Sequence, residues 1–220
     1  MEMIKAVLFD LDGTFADTAP DLAYALNRTL EAFDRPLLEY KKIRPVVSHG
    51  GVALIRLGFG LEPKDEGFES RKAHLLSVYE ENIARHTRLF DGMDEVMNLL
   101  ERQHMPWGIV TNKPAWLTDP LMDAMGLSER SSCIVSGDTC EKNKPHPMPL
   151  LHASELIRVP PPQCLYVGDA ERDIRAGNDA GMQSAVALWG YIQDEDQPDE
   201  WNADITLETP EQLSLLLQPD

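Results

Sequence analysis

Short apolar runs that alternate with helical patterns are the feature that most constrains the fold of this chain. The runs, each short and rich in strand-favouring residues, are 4–9, 106–111, 133–137, 164–168 and 184–188. Helical patterns lie between consecutive runs, at 93–104, 115–126, 148–157 and 171–180. Such alternation is typical of a parallel sheet with helices on both faces. We therefore predict an α/β core built on a doubly wound, Rossmann-like parallel sheet.

The connection between the first and second runs breaks this rhythm. It contains helical patterns but no convincing strand. Thr18 and Asp21 have the spacing of a capping box and open one helical pattern, and residues 66–86 form another.

These patterns predict two domains. An all-helical cap domain is expected over residues 16–87, inserted into a core domain formed by residues 1–15 and 88–220. A helical domain beside the end of the first strand is placed to act as a lid over a site at that strand end. The acidic segment 193–204 is expected to be a solvated loop, and a last helix is expected at 210–217.

The charge of the chain limits the partners that it can bind. The formal net charge is −17, whereas nucleic acids and anionic membranes both need a basic surface. We expect neither as a partner. An anionic substrate would need local positive charge or a metal ion at its site.

The cysteines and the N-terminus indicate a cytoplasmic protein. Cys133, Cys140 and Cys164 are odd in number and lack zinc-ligand spacing, so we expect reduced thiols. The first apolar run ends at Asp10 and is too short for an export signal or a membrane span.

Polar residues follow four of the predicted strands, and the carboxyl ends of parallel strands form the ligand crevice of such sheets. These residues are Asp10 and Asp12, then Thr111 and Asn112, then Lys144, and finally Asp169 with Asp173. Carboxylates can attack phosphorus, transfer protons and bind Mg²⁺, while a lysine and a hydroxyl neutralise phosphoryl charge. The set suits phosphoryl transfer through a covalent intermediate.

In order and spacing, these segments resemble the four motifs of the haloacid dehalogenase superfamily. They are DLDGT (10–14), Thr111–Asn112, Lys144 before proline, and GDAERD (168–173). The resemblance covers essentially the whole chain, and the helical insert resembles the C1-type cap of that superfamily.

The resemblance implies roles for the motif residues. Asp10 would be the nucleophile that forms an aspartyl phosphate, and Asp12 the general acid and base. Thr111 and the backbone at Asn112 would hold phosphoryl oxygens. Lys144 would orient Asp10 and offset charge. Lys142 competes for this last role, but the lysine of the superfamily directly precedes proline.

A Mg²⁺ site is implied in the same way. Asp10, Asp169 and the backbone carbonyl of Asp12 would ligate the ion, and Asp173 would support it directly or through water. The alternative for Asp173 is an ordinary acid in the first turn of a helix, where it is favourable beside the helix dipole.

The segment 44–51 is the part of the cap that we predict to reach the substrate. Its Ser-His-Gly-Gly sequence suggests a flexible loop, and Arg44, His49 and Gly50 are expected to contact the phosphate end of a substrate. The alternative is that Arg44 and His49 are ordinary surface residues.

The second aspartate favours one reaction within the superfamily. Asp12 favours phosphate-ester hydrolysis over dehalogenation, while a phosphosugar mutase, a phosphonate hydrolase and a non-catalytic metal-binding protein remain alternatives. The chain resembles phosphoglycolate phosphatases. Its stretches RPVVSHGG (44–51), HTRLFDGM (86–93), WGIVTNKPA (107–115) and ALWGY (187–191) also resemble phosphatases of N-acetylmuramic acid 6-phosphate. The expected partner is thus a small phosphorylated metabolite, with the enzyme a monomer or homodimer. Phe15 stands where the family usually has leucine.

Overall fold

A parallel sheet of six strands forms the centre of the computed structural model, which describes residues 3–218 of the chain. The described residues form eight strands, six in this sheet and two, β2 and β3, in a separate small sheet. Their bounds are β1 (Ala6–Phe9), β2 (Ala16–Asp17), β3 (Arg88–Leu89), β4 (Trp107–Val110), β5 (Cys133–Val135), β6 (Cys164–Gly168), β7 (Gln183–Ala187) and β8 (Ile205–Leu207). The large sheet has the order β5-β4-β1-β6-β7-β8. Strand β1 lies at its centre, where Val7 is in register with Trp107 on one side and Leu165 on the other.

Helices occupy much of the remaining chain. They are α1 (Ala19–Ala32), α2 (Tyr40–Ile43), α3 (Gly50–Phe59), α4 (Phe68–Glu81), α5 (Met93–Arg102), α6 (Ala115–Ala124), α7 (Met148–Ile157), α8 (Glu171–Asp179) and α9 (Pro210–Leu216). Short 3₁₀ helices cover Arg44–His49, Pro161–Gln163 and Pro198–Glu200. Among the described helices, none combines the length and the apolar character that a membrane crossing needs.

Both faces of the sheet are covered by helices. Successive side chains of a strand point to opposite faces. Val7 and Phe9 lie in a buried cluster with residues of α5, α6 and α9. Ala6 and Leu8 lie in a second cluster with residues of α7 and α8. The doubly wound parallel sheet predicted from the sequence is therefore confirmed.

A third apolar cluster belongs to the segment between β2 and β3. It joins α1, α3 and α4 through residues such as Leu26, Leu54 and Leu75. The chain enters and leaves this segment side by side, because Ala16 pairs with Leu89 in a small antiparallel sheet. The helical character expected for the insert is found, while the domain division at 16–87 stays a prediction.

Two strand assignments differ from those expected. The segment Ile205–Leu207 forms the edge strand β8, which directly follows the acidic stretch and pairs with β7. The pair β2 and β3 is also absent from the sequence prediction. These strands are only two or three residues long and depend on distant partners, so local periodicity does not reveal them.

The predicted capping box at the start of α1 is wrong. No side chain caps this helix. The Thr18 hydroxyl instead donates to Asp12 at 2.5 Å. The buried Asp21 carboxylate accepts hydrogen bonds from the backbone of His86 and Thr87 at 2.9–3.0 Å. Both side chains bond to residues outside the helix, so neither makes the local hydrogen bonds of a capping box.

Phe15 packs into the core beneath the site. It is fully buried, and its ring centroid lies 5.3 Å from that of Phe9 and 5.2 Å from that of Trp107. Aromatic contacts at such distances add to the free energy of apolar burial. The Phe15 ring, at the position where the family usually has leucine, thus packs against side chains of both β1 and β4.

We predict that Phe15→Ala lowers the free energy of unfolding by about 3–5 kcal/mol, since it leaves a cavity among aromatic rings. Phe15→Leu should cost about 1 kcal/mol because it keeps most of the volume. Urea denaturation followed by circular dichroism measures both. Leu37→Ala is the matched control, because Leu37 is 61% exposed and should change the value by less than about 0.5 kcal/mol. Equal losses for Phe15→Ala and Leu37→Ala would contradict the packing described here.

Candidate active site

A buried ammonium group links the carboxylates that follow β1 and β6. The Nζ of Lys144 lies 2.9 Å from Asp10 Oδ1 and 2.7 Å from Asp173 Oδ1. It also donates to Tyr166 Oη at 2.7 Å and to the carbonyl of Val110 at 2.9 Å. These oxygens surround the ammonium, which is 1% exposed. The structure therefore brings Asp10, Lys144 and Asp173 together.

The loop that carries Lys144 is fixed by Asn112. The side-chain amide of Asn112 donates to the Lys144 carbonyl at 3.0 Å and accepts from the Lys144 backbone N–H at 3.1 Å. The Asn112 side chain is thus engaged with this loop. Thr111 is buried and lines the same cavity as Asp10, and its hydroxyl oxygen accepts from the Lys113 N–H at 3.1 Å.

Three buried carboxylates form a candidate metal centre. One oxygen from each of Asp10, Asp169 and Asp173 lies within 4.8 Å of the others. Burial and the negative charges of Asp10 and Asp173 raise the pKa of the Asp169 carboxyl to about 7. The Asp173 Oδ2 is buried without a hydrogen-bond partner among the described residues. Three closely spaced carboxylate oxygens, with a further oxygen that lacks a hydrogen-bond partner, are suitable ligands for a hard divalent cation.

Close packing on both sides holds Asp169 in place. A Cβ on Gly13 would stand 2.2 Å from Asp169 Oδ2, and one on Gly190 would stand 2.2 Å from the Asp169 Cβ. The φ of Gly13 is also +90°, which favours glycine. The Asp169 carboxylate accepts a hydrogen bond from the Thr14 hydroxyl at 3.2 Å and another from the Tyr191 N–H at 2.9 Å. The glycine of DLDGT is therefore required for the approach of Asp169.

The Asp12 side chain has different partners from those of the carboxylate cluster. Its Oδ1 forms an ion pair with Lys113 Nζ at 2.7 Å, and both side chains are largely buried. Its backbone carbonyl accepts from the Ser48 hydroxyl at 3.4 Å, and the same hydroxyl donates to Asp169 at 2.8 Å. The carbonyl of Asp12 therefore faces the Asp169 side of the site, while its carboxylate pairs with Lys113.

The cap segment meets the core directly at this centre. Arg172 donates to the Ser48 carbonyl at 2.7 Å. Arg172 also lies 3.5 Å from His49 Nδ1, and Gln193 lies 2.6 Å from His49 Nε2. Burial, together with the Arg172 charge, lowers the pKa of His49. Residues 44–49 form a 3₁₀ helix and Gly50 begins α3, so the flexible loop expected here is a pair of helices instead.

Arg44, His49 and Gly50 have different positions. His49 and Gly50 line the cavity above Asp10. Arg44 is not among the described lining residues. Its guanidinium donates to the carbonyls of Gly190 at 3.2 Å and Trp189 at 3.3 Å. These hydrogen bonds join the insert to the core, and the contact of Arg44 with substrate stays a prediction.

A cavity of about 410 Å³ lies between the cap and the strand ends. Asp10, Asp12, Thr111 and Asn112 are at its base, with Lys113 beside them. Apolar side chains form much of the remaining wall, including Leu22, Val47, Val52, Leu76 and Leu117. The cavity thus has a charged end and an apolar body, as ligand sites commonly do.

The sequence prediction assigns no individual role to Ser48, Lys113 or Arg172 of this site, although Ser48 lies in the predicted segment 44–51. Lys113 follows directly after Thr111–Asn112, and Arg172 stands inside the GDAERD segment. The need for positive charge around an anionic substrate is a signal that could have identified both cations.

The arrangement has the parts that phosphoryl transfer requires. Asp10 is positioned by a buried ammonium, a second carboxylate lies in the same cavity, and three carboxylates fit a divalent cation. The chain belongs to the haloacid dehalogenase-like hydrolases, whose family model matches residues 7–187. The family predicted from the motifs is confirmed.

Individual relatives share nearly the full length of the chain. It is 39% identical over 210 residues to an N-acetylmuramic acid 6-phosphate phosphatase of Pseudomonas putida, covering 96% of this chain and 94% of the relative. It is 41% identical over 213 residues to a phosphoglycolate phosphatase of Xanthomonas campestris pv. campestris, covering 97% and 96%. These similarities confirm that the chain is a phosphatase.

A solved structure agrees with the fold. The crystal structure described as a predicted phosphoglycolate phosphatase from Haemophilus somnus 129PT superimposes with a TM-score of 0.87 at 26% identity. The match covers 99% of this chain and 100% of that one. The two proteins therefore share one fold over nearly their entire length.

We predict that Mg²⁺ raises the melting temperature of the protein, because a cation offsets repulsion among the three carboxylates. At about 100 times its Kd, the ion should add about 2.7 kcal/mol, or roughly 5–10 °C for a chain of this size. Differential scanning fluorimetry with and without chelator measures the shift. Asp169→Asn should abolish it, while Asp194→Asn, on the exposed acidic loop, should leave it intact. An unchanged shift in Asp169→Asn would rule out this site.

Proposed function

We propose that this phosphatase is a Mg²⁺-dependent phosphomonoesterase that works through an aspartyl phosphate on Asp10. The observation that carries the proposal is the contact of Asp10 with Lys144 at 2.9 Å, at the base of the cavity that also contains Asp12. Asp10 has a fixed orientation there, and Asp12 has a separate partner in Lys113. Two carboxylates in different surroundings suit two different roles.

The first half of the reaction transfers the phosphoryl group to the enzyme. An Asp10 oxygen attacks phosphorus, the bond between phosphorus and the ester oxygen breaks, and Asp12 donates a proton to the departing alcohol. Lys144 keeps the attacking carboxylate aligned, and Thr111 with the backbone at Asn112 holds phosphoryl oxygens.

The second half releases phosphate. Asp12, now unprotonated, accepts a proton from water as the water oxygen attacks phosphorus, and the bond to Asp10 breaks. The Asp10 carboxylate is thereby restored. Mg²⁺, bound by Asp10, Asp169 and the Asp12 carbonyl with support from Asp173, would neutralise negative charge on the phosphoryl group.

Two substrates are candidates, and both are phosphate esters that also carry a carboxylate. Phosphoglycolate is the first, supported by the relative at 41% identity. N-acetylmuramic acid 6-phosphate is the second, supported by the relative at 39% identity and by a cavity of about 410 Å³, which is wide enough for a sugar-sized ligand.

We also infer a cytoplasmic location. Cys133, Cys140 and Cys164 are all free thiols, as is usual in a reducing compartment. The net charge of −17 supports small metabolites as partners in preference to nucleic acid or anionic membranes. A monomeric or homodimeric state stays a prediction.

Asp10→Asn is expected to lower kcat by at least about 10³-fold, because the amide cannot form the phosphoenzyme. Phosphate release in Mg²⁺ measures the rate, and circular dichroism should show an unchanged fold since Asn keeps the shape of Asp. Asp194→Asn removes the same charge from an exposed loop position and should retain full activity. Substantial turnover by Asp10→Asn would require another nucleophile.

A phosphate-release screen should separate the two substrates. We expect kcat/KM for phosphoglycolate or for N-acetylmuramic acid 6-phosphate to exceed that for unrelated sugar phosphates by at least about tenfold, since specificity is a difference in transition-state binding. Each substrate is measured with Mg²⁺ and with excess chelator. Preference for neither would reject both substrates but leave metal-dependent hydrolysis standing. Full activity in chelator would reject the role of the metal.

A further inference from the structure

The cavity contains a second lysine at some distance from the reacting groups. Lys72 of α4 lines the cavity together with Leu76 and Tyr79 of the same helix. These residues are spaced at intervals of three and four, so they share one face of α4. This face of α4 therefore forms a wall of the cavity from Tyr79 to Lys72. The Lys72 ammonium lies 3.6 Å from Glu69 and 5.9 Å from the Phe68 ring centroid.

Tyr79 marks the catalytic end of this wall. Lys113 Nζ lies 4.8 Å from the Tyr79 ring centroid and 2.7 Å from Asp12 Oδ1. Each helical residue rises 1.5 Å, so Lys72 lies about 10 Å farther along the helix axis than Tyr79. Helical side chains lean in a common direction, which preserves this separation.

The two cavity lysines differ in how strongly they are paired. Lys113 is 6% exposed and bonded to Asp12. Lys72 is 32% exposed, and its contact with Glu69 is 3.6 Å long, to a carboxylate that is itself 73% exposed. Such a surface pair contributes little free energy. The Lys72 ammonium can therefore exchange Glu69 for an anionic ligand at small cost.

Tyr79 adds a second polar group to the wall. Its side chain is fully buried, and its hydroxyl interacts with the neighbouring Lys113 ammonium. The wall thus offers a hydroxyl near the aspartates and an ammonium farther out, separated by the apolar Leu76.

We propose that Lys72 is a specificity-determining residue that binds a carboxylate on the organic part of the substrate. The proposal rests on the phosphatase function above, with phosphorus at Asp10. The separation from Tyr79 to Lys72 favours phosphorylated acids in which a sugar-sized spacer divides the two anionic groups. Three bonds in a two-carbon acid phosphate span only about 4 Å, whereas eight bonds across a hexose with an ether-linked acid reach about twice as far.

The test compares matched substrates with and without the carboxylate. N-acetylmuramic acid 6-phosphate and N-acetylglucosamine 6-phosphate differ by the acidic ether group. We expect the wild type to prefer the acid, and Lys72→Met to lower the ratio of the two kcat/KM values by about tenfold, mostly through KM. Lys72→Arg keeps the charge and should restore most of the ratio. Lys64→Met, on an exposed cap lysine outside the cavity, is the matched control.

Each outcome bears on a different part of the proposal. Three results would overturn the role of Lys72. The ratio of the two kcat/KM values could be unchanged in Lys72→Met, that variant could lose activity equally on both sugars, or the wild type could show no preference for the acid. If Lys72→Met lowers activity on 2-phosphoglycolate relative to ethyl phosphate as strongly as it lowers the sugar ratio, the distance argument is wrong. In all these cases the wild type still releases phosphate. Loss of the proposed function itself would appear instead as a wild type that hydrolyses none of the four esters.

Discussion

The ammonium of Lys144 is the buried charge on which the site depends. It touches Asp10 and Asp173 within 3 Å, inside a region from which solvent is nearly excluded. Burying charges is costly unless each is paired and hydrogen-bonded, and Lys144 satisfies this condition with four oxygen partners. Lys144 carries one positive charge and cannot neutralise three carboxylates, so the cluster that includes Lys144 also suits a cation. In the proposed function, the alignment of Asp10 and the binding of Mg²⁺ therefore have a common electrostatic origin.

The cap is coupled to this cluster by hydrogen bonds rather than by apolar packing alone. The Ser48 hydroxyl contacts both Asp169 and the Asp12 carbonyl, and Arg172 binds the Ser48 carbonyl. A residue of the helical insert thus contacts two of the groups that we propose as holding Mg²⁺. The same insert places Tyr79 of α4 beside Lys113, the ammonium that pairs with Asp12.

Local patterns were sufficient for most of the fold. Continuous apolar runs marked the buried strands, because a strand with helices on both faces has no solvent-facing side. They did not reveal β8, whose three residues pair only with β7, nor the contacts of Thr18 and Asp21, whose side chains bind distant groups in place of a helix end. Lys113 was overlooked for a related reason: its significance comes from Asp12, a partner far away in sequence.

The sequence by itself determined which chemical groups stand at the strand ends, since four motifs in order place the carboxylates, the hydroxyl and the lysine there. Only the tertiary structure decided how those groups are shared. Asp10 joins the cluster around Lys144, whereas Asp12 pairs with Lys113 and Thr18. Spacing along one strand cannot distinguish these two pairings, because they depend on the cations that follow the neighbouring strands, Lys113 after β4 and Lys144 after β5. The same holds for Arg44, which binds backbone carbonyls outside the cavity, and for Lys72, which the packing of α4 places within it.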